Sequence, residues 1–182
     1  MISNIKFAEQ AKSAIYDGIP YTKLDCQAFV EKVLYDAGAR KENGKAYDWS
    51  GVNGMYRNAF TWKGTIAECK KVYGCIPVGA WAIIWKNDCG EKERGYYDGL
   101  GNAKHVGIYV GNDQVRDSTR TTKNPVRNGV GYRSINDFNI IGLPFMIDYF
   151  GSDLSVNKSE NPDKQKALEA LEVIKLYIIG GK

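Results

Sequence analysis

Two side chains in this sequence carry the chemistry for nucleophilic attack on a carbonyl: Cys26, and His105, the one histidine among 182 residues. A cysteine is a strong nucleophile once a base takes its proton, and imidazole is the side chain suited to that near neutral pH. Any Cys–His chemistry here must therefore use His105. Cys26 follows Asp25, an acceptable N-cap, and precedes a helically spaced set of Ala28, Phe29, Val33, Leu34 and Ala37 that Gly38 closes. That spacing predicts a helix with Cys26 in its first turn. Unpaired N–H groups there favour a thiolate and can receive an oxyanion. A buried structural thiol is the alternative reading of Cys26, and a satisfied surface or core residue that of His105.

A papain-type pair needs a third group to hold the imidazole tautomer. Asp117 follows His105 by twelve residues, across the turn Gly111-Asn112-Asp113. If the loop contains an odd number of residues, an even separation puts both side chains on one sheet face, as near neighbours. The alternatives are a solvated Asp117, and Asn112 and Asp113 as turn residues only.

The elements that must position these residues follow from periodicity. Ile5, Ala8, Ala11, Ala14 and Ile15 predict a first helix over 4–17, stopped by Gly18. Residues 40–64, rich in Gly, Asn, Trp and Tyr, read as a long loop, and 65–73 as a short helix. Strands are expected from the apolar run Gly79–Trp85, and over 104–110, 114–119, 130–134 and 142–149. In 104–110, Val106, Ile108 and Val110 take one face, and His105, Gly107 and Tyr109 the polar one. Helices first and strands afterwards indicate an α+β domain over 1–150, with a mainly antiparallel sheet of about five strands. Residues 151–163 are polar and read as a linker. An amphipathic C-terminal helix follows over 164–182, with Ala167, Leu168, Leu171, Ile174 and Ile178 as its stripe. Its role is open: docking on the domain, self-association, or the opening of a wall-targeting region.

Composition excludes several function classes. No apolar run approaches the roughly 20 residues of a membrane helix, so no membrane span is expected. The N-terminus has no apolar signal core, which implies synthesis in the cytoplasm without a signal peptide. The net charge of +4 lies wholly in residues 1–150, because five lysines and five acids cancel beyond them. A mildly basic body suits a polyanionic surface such as a bacterial wall, and no basic stripe marks nucleic-acid binding. The cysteines at 26, 69, 75 and 89 contain no Cys-x-x-Cys pair. Cys69, Cys75, Cys89 and His105 have the ligand types for zinc without a familiar spacing, so no metal and no cofactor are expected.

The order Asp25-Cys26, then Pro77-Val78-Gly79-Ala80-Trp81, then His105-Val106-Gly107-Ile108-Tyr109-Val110-Gly111 resembles the NlpC family of papain-like peptidoglycan peptidases. The likeness is to its phage-associated, endolysin-like members and covers roughly residues 5–149. It implies a papain-like, NlpC-type fold, with the nucleophile-bearing helix packed on the sheet that carries the base. It also implies a thiol peptidase that degrades the cell wall by hydrolysing stem peptides, commonly between γ-D-glutamate and a diamino acid. Cys26 matches the nucleophile and His105 the base. Asp117 falls at the third position, usually His, Asn or Gln in the family. Tyr21 and Asp25 match positions around the amino-terminal end of the substrate. Gln27 stands where the family commonly has Ser, which bears on recognition of the residue before the scissile bond. The implied partner is bacterial peptidoglycan, met by a phage or prophage lysin at the cell wall. Two readings compete: an N-acetylmuramoyl-L-alanine amidase using the same residues, and an inactive wall-binding module presenting Trp49, Tyr56 and Trp62.

Overall fold

The computed structural model describes residues 1–87, 96, 98–122 and 126–149. The expected linker and C-terminal helix lie outside the described residues, as does Cys89. In chain order the elements are β1 (Ile2–Ser3), α1 (Asn4–Ala11), α2 (Cys26–Asp36), α3 (Gly51–Asn58), β2 (Phe60–Thr65), α4 (Ile66–Tyr73), β3 (Trp81–Lys86), β4 (Asn102–Gly111), β5 (Gln114–Thr121), β6 (Arg127–Ser134), β7 (Ile140–Pro144) and β8 (Ile147–Asp148). The α+β class and the mainly antiparallel sheet stand as expected. The sheet has six strands in the order β2-β7-β3-β4-β5-β6, every neighbouring pair antiparallel, and β1 pairs with β8 in a separate parallel ribbon.

Three expectations about elements need correction. The strand expected over 142–149 is two, β7 and β8, and β8 pairs outside the main sheet. Residues 40–64 are not all loop: α3 and β2 occupy 51–58 and 60–65. Their signals were masked by glycines in the helix and by a strand whose alternation, Phe60, Trp62 and Gly64 against Thr61, Lys63 and Thr65, is interrupted by glycine. The first helix ends at Ala11, and a single 3₁₀ turn covers Ala14–Tyr16. Ser13 interrupts by accepting a hydrogen bond from the Ile15 N–H, an alternative to helical pairing that serine offers the backbone.

The central strands of the sheet are buried on both faces. One core joins Phe7, Tyr16, Phe29, Val33 and Leu34 of the helical layer to Trp81, Ile83, Val106 and Ile108. A second, on the opposite side, holds Cys69, Ile76, Tyr109, Val115, Ile135, Phe138 and Ile141. The face of β4 expected to be polar is therefore covered, with His105 and Tyr109 each only 8% exposed. Strands flanked by two apolar layers lose the simple inside–outside reading of their alternation. Among the described residues, no helix is long and apolar enough to cross a membrane.

Candidate active site

Helix α2 begins at Cys26 because Asp25 caps it. The Asp25 carboxylate accepts from the Ala28 N–H at 2.8 Å, satisfying one of the free donors of the first turn. Gly38, at φ +98°, lies just past the end of the helix, the position where glycine is favoured. The start of the helix is also fixed from the sheet, where the buried Ser118 hydroxyl donates to the Leu24 carbonyl. Cys26 is 6% exposed and packs in the helical core.

His105 comes from β4 and Asp117 from β5, and their meeting depends on a bulge. The two strands are joined by Asn112 and Asp113, both at positive φ (51° and 55°), as in a two-residue hairpin turn. A turn of that length pairs Gly111 with Gln114, a register in which residues twelve apart face opposite ways. The register then shifts between Tyr109 and Gly111, after which Tyr109 pairs with Val115 and Ile108 with Arg116. The extra residue, Val110, reverses the parity and brings Asp117 to the His105 side. Continuing the register sets Gly107 opposite Asp117, and a Cβ at Gly107 would lie 2.9 Å from the Asp117 Cβ. The glycine leaves the room that lets His105 reach diagonally to the carboxylate.

The His105 Nε2 lies 2.5 Å from Asp117 Oδ2. The Cys26 side chain also acts on the imidazole, by hydrogen bonding and by its charge, in the direction that favours the imidazolium. Burial opposes the imidazolium, but hydrogen bonds to Asp117 and Cys26 and their negative charge outweigh it, and His105 is raised from 6.5 to about 9. The Phe138 ring stacks on the imidazole, with centroids 6.0 Å apart and planes at 27°.

Asp117 is fully buried and serves more than His105. Its Oδ1 accepts from Arg127 Nη2, and Arg133 Nη1 stands 3.5 Å from Oδ2. Sequence reasoning missed both arginines. Their signal was even spacing along β6 (127, 129, 131, 133), with glycine at the two positions between. Gly131 pairs directly with Asp117, which puts these residues on the Asp117 face. The strand start expected at 130 excluded Arg127.

The remaining candidates are placed as follows. The Tyr21 N–H donates to Asn128 Oδ1 at 3.2 Å, next to Arg127 on β6. The Gln27 amide donates to Glu31 Oε1 (2.8 Å) and to the Trp49 carbonyl (2.6 Å). Glu31 also accepts from the Trp49 N–H at 3.0 Å. Burial pushes the Glu31 carboxyl up, against those hydrogen bonds. Trp49 in turn meets Trp81 edge-on, with centroids 5.5 Å apart, so the segment before α3 is tied to α2 and to the sheet. An open depression of about 420 Å³, lined by Lys41, Glu42, Asn43, Tyr47 and Phe145, contains none of the three site residues.

Of the four residues weighed as zinc ligands, Cys69 is fully buried with its thiol pushed up to about 12, chiefly by burial, and its Sγ lies 3.7 Å from the Cys75 carbonyl. Cys75 is exposed and His105 is engaged by Asp117 and Cys26. Among the described residues, no group of three or more His, Cys, Asp or Glu is arranged to hold a metal.

Comparison with known protein families and with curated proteins gives no match to this sequence. The functional reading therefore rests on three groups: a thiol at a capped helix N-terminus, an imidazole that this thiol influences, and a buried carboxylate hydrogen-bonded to that imidazole. Such a set can form a thiolate–imidazolium pair, attack a carbonyl and return a proton to a leaving group.

Proposed function

We propose that this chain is a cysteine peptidase that hydrolyses stem peptides of bacterial peptidoglycan, between D-γ-glutamate and the diamino acid, as a phage or prophage lysin acting at the cell wall. The observation that carries the reading is the continuous chain from the Cys26 thiol through His105 to the buried Asp117. The motif order around Cys26, Trp81 and His105 supplies the substrate class, and the basic charge of residues 1–150 suits an anionic wall.

In the reaction, His105 Nδ1 takes the Cys26 proton, giving thiolate and imidazolium. The imidazolium is held by Asp117, which accepts from Nε2–H and fixes the ring. The thiolate attacks the peptide carbonyl, and the Cys26 N–H at the helix N-terminus stabilises the oxyanion. The imidazolium then protonates the departing amine. Water, deprotonated by the same imidazole, releases the acyl group from sulfur.

The test is digestion of purified peptidoglycan by the full chain, with mass spectrometry of the fragments. New amino-terminal diamino acids, absent from a digest with Cys26→Ala, are expected. Cleavage by Cys26→Ala at the parental rate refutes the mechanism. Muramic acid residues freed of their peptides would reassign the bond to the sugar–peptide junction.

A further inference from the structure

We infer that Arg127 is a positioning residue of the site: it holds Asp117 Oδ1 so that Oδ2 is presented to His105. The inference rests on the peptidase reading for its catalytic consequence, but its structural content does not. Asp117 is fully buried, and a carboxylate there has rotational freedom unless both oxygens are engaged. One oxygen takes the His105 Nε2 at 2.5 Å, and the other takes Arg127 Nη2. The same guanidinium is anchored through Nη1, which donates to the Tyr132 carbonyl at 3.1 Å. It is thus strapped to its own strand while it reaches the neighbouring one.

The chain makes room for this strap. A Cβ at Gly131, the residue paired with Asp117, would lie 2.6 Å from Arg127 Nη1 and 2.7 Å from its Cδ. Any side chain at 131 would displace the arginine. Arg127 Nε is buried and, among the described residues, has no hydrogen-bond partner. A buried orphan donor costs free energy, so the guanidinium is held in place by its other contacts rather than by a complete set of bonds. Arg133 does not duplicate the role. Its nearest approach to Asp117 is 3.5 Å, to the same oxygen that His105 uses, while its Nε pairs with Asp137 and its guanidinium lies over Phe138.

The single histidine gives a readout independent of activity. In the parent, the His105 Nε2–H is a strongly hydrogen-bonded proton and should give a resolved low-field NMR signal. In Arg127→Met that signal is expected to move upfield or be lost to solvent exchange. The kcat on purified peptidoglycan should fall roughly 10- to 100-fold with KM little changed. If Arg127→Met does not fold, Gly131→Ala is read in its place, since it displaces the same guanidinium without removing charge. A folded variant of either kind with the parental His105 signal and kcat overturns the inference. If the signal moves while the parent shows no peptidoglycan hydrolysis, positioning by Arg127 stands and the peptidase reading falls.

Discussion

Replacing Asp117 with Asn is the most informative single perturbation of this site. The isosteric amide keeps the shape beside His105 and removes the charge. Burial alone lowers the pKa of an imidazole, yet His105 is raised from 6.5 to about 9, and the bond to Asp117 is the strongest influence opposing burial. A group whose pKa is higher folded than unfolded stabilises the fold fully below its unfolded pKa, and that stability is lost as pH rises through the folded pKa. His105 should therefore contribute below about pH 6.5 and lose that contribution between 6.5 and 9. At about 1.4 kcal/mol per pH unit the interval is worth at most about 3–4 kcal/mol. In Asp117→Asn the NMR titration of His105 should move to clearly lower pH, leaving burial opposed by Cys26 alone. The fall in urea-unfolding free energy between pH 6.5 and 9 should shrink by up to that amount. The variant should also be less stable throughout, because Arg127 loses the anion it was buried against. The alkaline limb of peptidase activity should move down with the histidine. A folded Asp117→Asn whose His105 still titrates near 9 refutes the reasoning, and would place the raising charge on Cys26 instead.

Other substitutions test the frame. Gly107→Ala puts a methyl 2.5 Å from Val115 Cγ1 and 2.9 Å from Asp117 Cβ. Urea unfolding should show a loss of about 1–3 kcal/mol, together with reduced kcat. Phe29→Ala removes a fully buried ring that meets Tyr16 edge-on at 5.4 Å. A cost of about 3–5 kcal/mol by the same measurement is expected. Thr65→Ala breaks the reciprocal cap at the start of α4, in which Thr65 and Glu68 satisfy each other's backbone N–H. It should cost about 1 kcal/mol and leave peptidase activity unchanged.

Local patterns account for much of what was legible in the chain. Asp25 before a helically spaced apolar set predicted a helix starting at Cys26, because capping and periodicity are near-neighbour effects. Uniqueness made His105 the only imidazole available. The strand around it was recognisable, as were those at Trp81 and Gln114. Residues 51–65 were not: a helix containing Gly51 and Gly54, and a strand containing Gly64, lack local propensity and exist because they pack on β4 and β7.

By itself, then, the sequence determined the helix that starts at Cys26, the one imidazole available to pair with it and the α+β order of elements. All of these are set by residue type and by spacing within a few turns. Only the tertiary structure decided whether His105 and Asp117 share a face. A one-residue bulge at Val110 inverts the parity that the Asn112-Asp113 turn would impose, and nothing in the local pattern signals it. It also decided that the carboxylate is shared with Arg127 and approached by Arg133, since a third strand brings both arginines to a buried charge needing more than one counterion. Gln27 shows the same division. The family resemblance ties it to recognition of the substrate, while the partners of its amide, Glu31 and Trp49, are supplied only by the folded loop.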